Sequence, residues 1–178
     1  MTLILFPYKP NERPEDQLET TLLYGTLKDM RFNCLRLPTT DQRHEYVRVL
    51  RENWLREELV IIEHDVVPTI DMVNWLIKCD HSICAQAFYL YPKSTNLKEP
   101  VIAHRDASER WIKQGVAYAP YWSLGATKIT LLAQKVADLT RLDELPRGKW
   151  LDGWLSEKCA AAGLFAHIHY PVAKHNHQ

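Results

Sequence analysis

Short apolar runs alternate with amphipathic stretches along most of this chain, and that alternation constrains the fold more than any other property of the sequence. Residues 3–6, 33–37, 59–66, 83–91, 115–119 and 164–170 read as strands. Between them, residues 14–30, a segment running from a cap at Thr40 or Asp41 to Arg56, and a segment capped by Thr69 that carries Ile70, Val73, Leu76 and Ile77 read as helices. Residues 126–139 place Ile129, Leu132, Val136 and Leu139 on one helical face, and residues 150–162 form a last helix stopped by Gly163. Residues 92–112 are polar and irregular, with room for one edge strand. Strands alternating with helices imply βαβ units, and hence an α/β fold of three layers, α/β/α, with a mostly parallel central sheet.

The length of 178 residues suits one domain with one core. Equal numbers of cationic and anionic side chains, 22 of each, leave no net field to draw the protein to nucleic acid, so an anionic ligand has to be held locally. There is no basic stripe interleaved with aromatics, which also argues against a nucleic-acid partner. No run approaches the ~18 apolar residues of a membrane span. The opening MTLILFPYKP lacks the basic and long apolar regions of a signal peptide and reads as a first strand. Cys34, Cys79, Cys84 and Cys159 show no C-x-x-C spacing and sit in apolar surroundings, so reduced core thiols in a cytoplasmic protein are expected.

Chemistry concentrates in a few places. The run of residues 59–66 is nearly continuous in apolar side chains, as a parallel strand buried on both faces should be, yet it ends in Glu63, His64 and Asp65 before Pro68. Buried unpaired carboxylates cost several kcal/mol, so these acids either emerge at the sheet edge as solvated loop residues or meet a cation. In open α/β sheets ligands bind outside the carboxyl ends of the strands, where this triplet lies. His167, His169, His175 and His177 supply half of the eight histidines within eleven residues. Combined with carboxylates they suit Mn²⁺ or a similar divalent ion better than a structural zinc; without them they are incidental tail residues. Tyr121 and Trp122 precede Gly125 and Ala126, a loop where an aromatic ring either stacks on a ligand or simply packs. Asp152 opens a helix beside Trp150 and Trp154, as a dipole-satisfying acid or a catalytic base.

In their order these pieces resemble the GT-A class of nucleotide-sugar glycosyltransferases, and the resemblance spans nearly the whole chain. FPYKPNERPEDQLETTL corresponds to the first strand, Pro/Tyr/Asn loop and helix that hold the nucleotide, which implies Pro7, Tyr8 and Lys9 as contacts. Glu63-His64-Asp65 stands for the D-x-D triplet, implying Asp65 as a metal ligand and Glu63 as a contact to ribose or metal. Gly125 and Ala126 match a small pair in the following strand-loop-helix, Asp152 matches the base of inverting members, and His175 or His177 matches a terminal metal-binding histidine. Two positions depart from the pattern: Glu replaces the first Asp of the triplet, and Leu151 replaces the first acid of the family's E-D pair.

The resemblance implies one domain over residues 1–178, with a donor part at about 1–91 and an acceptor and catalytic part at about 92–178. It implies a divalent cation, Mn²⁺ or Mg²⁺, a nucleotide-sugar donor and a saccharide or other hydroxyl acceptor. The same acids and histidines also fit a metal-dependent phosphoesterase or nucleotidyltransferase, and the short acceptor region fits a non-catalytic binding module.

Overall fold

The computed structural model describes residues 2–39, 43–90, 101–108, 110–112, 117–142, 145–147 and 149–176. Ten strands form a mixed sheet: β1 (Thr2–Tyr8), β2 (Cys34–Pro38), β3 (Glu58–Ile62), β4 (Val66–Val67), β5 (Ile83–Leu90), β6 (Val101–Arg105), β7 (Trp111–Ile112), β8 (Tyr118–Ala119), β9 (Ala126–Ile129) and β10 (Ala166–His175). The helices are α1 (Leu18–Asp29), α2 (Arg43–Arg51), α3 (Ile70–Lys78), α4 (Leu131–Val136) and α5 (Leu151–Ala161), and a 3-10 turn at Pro14–Gln17 leads into α1. The main path of the sheet is β2-β1-β3-β9-β5-β10-β4; β6 and β7 extend from β5, and β8 pairs with β10. The candidate cap at Thr40 or Asp41 falls outside the described residues.

The apolar run of β3 behaves as its composition requires. Leu59, Val60, Ile61 and Ile62 are all fully buried, and their side chains divide between two cores by the alternation of a strand. One face packs Leu5, Leu59, Ile61, Ile83 and Ile129 against Leu50, Trp54, Leu155 and Cys159 from the side of α2 and α5. The other packs Ile4, Phe6, Val60 and Ile62 against Leu23 and Leu27 of α1 and Met72, Val73 and Leu76 of α3. Each fully buried aliphatic side chain contributes ~1.5–3 kcal/mol. The three-layer α/β/α architecture is therefore present.

Residues 126–139 are not one helix. Ala126–Ile129 is the strand β9, lying antiparallel between β3 and β5, with Ile61 opposite Thr127 and Ile83 opposite Ile129. Thr130 then turns the chain, its N–H and hydroxyl both donating to the Ser82 carbonyl at 3.0 Å, and α4 begins at Leu131. Without β9 the edges of β3 and β5 would leave buried backbone groups unpaired, a cost that overrides the helical spacing of the apolar residues. Lys128 is tolerated in the sheet because its stem is buried while its ammonium donates to the Ile77 and Cys79 carbonyls (3.1 and 2.7 Å), where α3 ends.

β10 is longer than the apolar run alone suggests. It pairs parallel to β5 from His167 to His169, shifts register, and continues to Ala173, then pairs antiparallel with β4 through Lys174 and His175. The Gln86 side-chain amide donates to the carbonyls of His169 (3.0 Å) and Pro171, bracketing the shift. The cysteines also depart from expectation. Cys79 and Cys84 form a disulfide, because the end of α3 and the start of β5 flank a short turn that brings their Cα atoms to 6.6 Å. Cys34 and Cys159 are the buried thiols, and burial raises them to about 11 and about 12.

Candidate active site

Where β3 leaves the sheet, the Glu63 N–H donates to the Gly125 carbonyl (2.8 Å), and the Val66 N–H closes a turn on the Glu63 carbonyl (3.2 Å). Asp65, inside this turn, is held from the far end of the sequence: the Asn176 N–H donates to its backbone carbonyl (2.8 Å), and Nε2 of His175 lies 3.4 Å from its Oδ2. His175 stacks on Phe88 with ring centroids 5.4 Å apart. Phe88 can occupy that place because residue 125 is glycine; a Cβ there would lie 2.5 Å from the Phe88 ring and 2.9 Å from Val66.

Glu63, His64 and Asp65 face a cavity of about 1100 Å³, lined also by Pro7, Lys9, Arg105, Tyr121, Lys149, Trp150 and Asp152. Three carboxylates therefore share it: Glu63, Asp65 and Asp152. Burial first, and then the Asp65 charge, push the Glu63 carboxyl up to about 8, and Asp152 adds to the effect. The Tyr46 hydroxyl from α2 donates to Glu63 Oε1 (2.9 Å) and partly offsets the rise. Asp152, in the first turn of α5, accepts the Gly153 N–H (2.7 Å), and burial holds its carboxyl above the usual range. Burial also disfavours ionised Asp65, but the His175 contact and the nearby His64 outweigh it, so this carboxyl sits below the usual range. One site thus holds two acids pushed up and one pulled down.

The sequence-derived candidates divide in space. Pro7, Lys9, Glu63, Asp65 and Asp152 line the cavity, and His175 meets Asp65. Tyr8, on the opposite face of β1 from its neighbours, lies under the Arg36 guanidinium at 4.2 Å. Gly125 and Ala126 are buried behind the cavity wall, contributing a carbonyl and close packing. His64 turns to the first loop, where its Nε2 is 2.8 Å from Glu12 Oε2. That loop is held by Gln17, which accepts the Lys9 N–H (3.1 Å) and donates to the Lys9 carbonyl (2.7 Å). His177 lies outside the described residues. His167 and His169 lie at the opposite end of the sheet, with Cys79, His81 and Cys84.

Glu12, Tyr46 and Arg105 were not singled out from sequence. Tyr46 is legible only as part of an apolar stripe, and Arg105, over the Trp111 ring at 4.0 Å, lies in the segment with the weakest pattern. Asp65 and His175 set a carboxylate oxygen beside an imidazole nitrogen, two atoms that could both serve as ligands to a divalent cation.

No protein-family model matches the chain, and no curated protein matches it in sequence. Among solved structures, A197 from STIV is similar with a TM-score of 0.55 at 16% identity, over 94% of this chain and 81% of that one. A glycosyltransferase involved in the glycosylation of the major capsid of PBCV-1 is similar with a TM-score of 0.49 at 13% identity, over 96% of this chain and 82% of that one.

Proposed function

We propose that the chain is a metal-dependent glycosyltransferase that binds a nucleoside diphosphate sugar in the 1100 Å³ cavity and transfers the sugar to a hydroxyl acceptor. The observation that carries this reading is the return of β10, which sets His175 against Asp65 beside Glu63 and Asp152. In a protein of zero formal charge, a diphosphate needs such local neutralisation.

Asp65 and His175 would hold the cation, Mn²⁺ or Mg²⁺, which when bound offsets the charge that develops on the leaving diphosphate. Glu63, kept mostly protonated near neutrality, donates a hydrogen bond where an ionised acid would repel phosphate or ribose oxygens. Pro7, at the end of β1, and Lys9, on the loop clamped by Gln17, form the wall next to the nucleotide. Tyr121 offers a ring for the base or acceptor, while Trp122 is buried and its backbone N–H donates to Ser156 Oγ (3.0 Å). In an inverting transfer the acceptor oxygen bonds to the anomeric carbon as the carbon–oxygen bond to the diphosphate breaks, and Asp152 takes the acceptor's proton. Its raised affinity for protons suits that role.

A thermal-shift screen of nucleoside diphosphates and sugar nucleotides, with and without Mn²⁺, tests the binding half, since a ligand that binds the native state raises its apparent stability. Product analysis tests the rest. Release of nucleoside diphosphate supports transfer, and release of nucleoside monophosphate or free phosphate would replace it with a phosphoesterase or nucleotidyltransferase reading. Binding without turnover in the presence of a broad acceptor set would leave a binding module.

A further inference from the structure

The amino end of the sheet carries a second group of ligating side chains, at the opposite ends of β5 and β10 from those that reach the cavity site. Cys79 follows α3, Cys84 is the second residue of β5, and His167 and His169 are alternate residues of β10. Parallel pairing sets His167 opposite Cys84 and His169 opposite Gln86, so Cys84, His167 and His169 share one face of adjacent strands. The ligand atoms of Cys79, Cys84 and His169 all lie within 4.8 Å of one another. Nδ1 of His167 is 3.5 Å from Cys79 Sγ, and the His167 and His169 rings meet at 4.7 Å. Nε2 of His169 is buried and makes no hydrogen bond among the described residues. A buried imidazole nitrogen without such a partner, next to two sulfurs, is a group that a bound ion would satisfy.

We propose that Cys79, Cys84, His167 and His169 form a tetrahedral zinc site when the two cysteines are reduced, and that the Cys79–Cys84 disulfide is the metal-free, oxidised state of the same site. Two thiolates and two imidazoles are the donor set that selects Zn²⁺ over the hard cations suited to the carboxyl end. His81 stays outside the set: its Nδ1 is 3.5 Å from Cys79 Sγ but also 3.2 Å from Asp80, and its Nε2 is held 2.9 Å from the Tyr118 hydroxyl. It stacks on His167 at 4.3 Å and so orients that ring.

The two states interconvert by thiol–disulfide exchange. A dithiol reductant gives two electrons and two protons to the Cys79–Cys84 bond and becomes a disulfide itself, leaving two thiols. Zinc binding then releases both thiol protons to solvent. In the reverse direction an external disulfide takes the two electrons, the Cys79–Cys84 bond forms, and zinc leaves. Both states tie the α3–β5 turn together, but only the zinc state also ties it to β10.

Co²⁺ is the probe, because thiolate ligation gives a near-ultraviolet charge-transfer band that an oxygen and nitrogen site cannot give. The full-length protein, reduced by a phosphine and freed of metal, should take up one equivalent of Co²⁺ with that band, and Zn²⁺ should displace it. The disulfide form should show none, and adding a small-molecule disulfide to the zinc-loaded protein should release one equivalent to a chromophoric chelator. Cys84→Ser and His169→Ala should each weaken binding on the order of 100-fold, with His81→Ala costing about tenfold or less. Absence of the band in reduced wild-type protein would overturn the site without any variant having to fold. An unchanged band in Cys84→Ser would do the same, and loss in His81→Ala with retention in His169→Ala would overturn the ligand set.

Discussion

The two ends of the sheet take opposite solutions to the problem of placing polar atoms at the limits of a buried strand. At the carboxyl end, Glu63, Asp65 and Asp152 surround a cavity of about 1100 Å³, and His175 closes on Asp65. At the amino end, Cys79, Cys84, His167 and His169 pack on one another. Hard oxygen donors with space around them suit a cation shared with a phosphate ligand, and soft donors that fill their own space suit a cation shared with nothing. β10 serves both ends, through His167 and His169 at its start and His175 at its finish. The described histidines of what the sequence presents as one tail, His167 and His169 on one side and His175 on the other, are therefore two sets, separated by the register shift between His169 and Ala173.

The largest expected effect separates the ends outright. Asp65→Ala should reduce Mn²⁺-dependent affinity for a nucleoside diphosphate on the order of 100-fold or more in calorimetry, whereas Cys84→Ser should leave it within about threefold. Equal losses in both variants would show that the ends are one coupled site, and no loss in Asp65→Ala would remove the cation from the cavity.

The acid end of this contrast was legible in sequence because its signal is local. Three polar residues ending the most apolar strand need no distant information to stand out, and burial of Leu59 to Ile62 follows from the same pattern. The amino end was not legible. Cys79 and Cys84 are five apart with His81 between them, a spacing that matches no familiar knuckle, and their partners arrive with His167 and His169 more than eighty residues later. β9 failed for a related reason. Ile129, Leu132 and Val136 recur at helical spacing, and only the unpaired edges of β3 and β5, brought together by the rest of the fold, make Ala126–Ile129 a strand. Gly125 is a third case: a small residue before an element suggests contact with a ligand, but the Phe88 ring explains it.

Acid should destabilise the protein through His104, a buried imidazole between two residues of the cavity lining. His104 on β6 is 1% exposed and meets Phe88 edge-on at 6.3 Å, and Phe88 in turn carries His175. Burial pushes His104 down to about 4 from the usual 6.5. Between these values the unfolded chain binds the proton and the native chain does not, so stability present above pH 6.5 is lost as pH falls toward about 4, by up to about 3 kcal/mol. Urea midpoints measured across that range should fall in the wild type, with a flatter profile in His104→Leu. Parallel profiles would mean that His104 is charged or hydrated in the native state.

Gly125→Ala tests whether Phe88, which also meets His104, positions His175. The added methyl would meet Phe88 and Val66 well inside contact distance, at a cost of about 1–3 kcal/mol. Because Phe88 supports His175, affinity for Mn²⁺ with nucleoside diphosphate should fall as well, while the cobalt band of the amino end should persist. A stability loss with unchanged nucleotide affinity would mean that the stacking of Phe88 on His175 does not set the position of that imidazole.

The smallest effect concerns the loop that follows β1 at Lys9, which reaches the triplet through His64 and Glu12 rather than through the metal candidates. Nε2 of His64 lies 2.8 Å from Glu12 Oε2, and Lys9 Nζ lies 2.8 Å from Glu12 Oε1, so one carboxylate ties the first loop to the turn that holds Asp65. Glu12→Gln keeps the shape and removes the charge, weakening two partly exposed contacts worth about 1 kcal/mol or less each. Nucleotide affinity should drop by about fivefold at most, and added salt should weaken the wild type more than the variant, because only the wild type has an ionic bridge to screen. A drop as large as that of Asp65→Ala would place Glu12 among the groups that hold the diphosphate cation, and would move the centre of the carboxyl-end site from the β3 exit into the first loop.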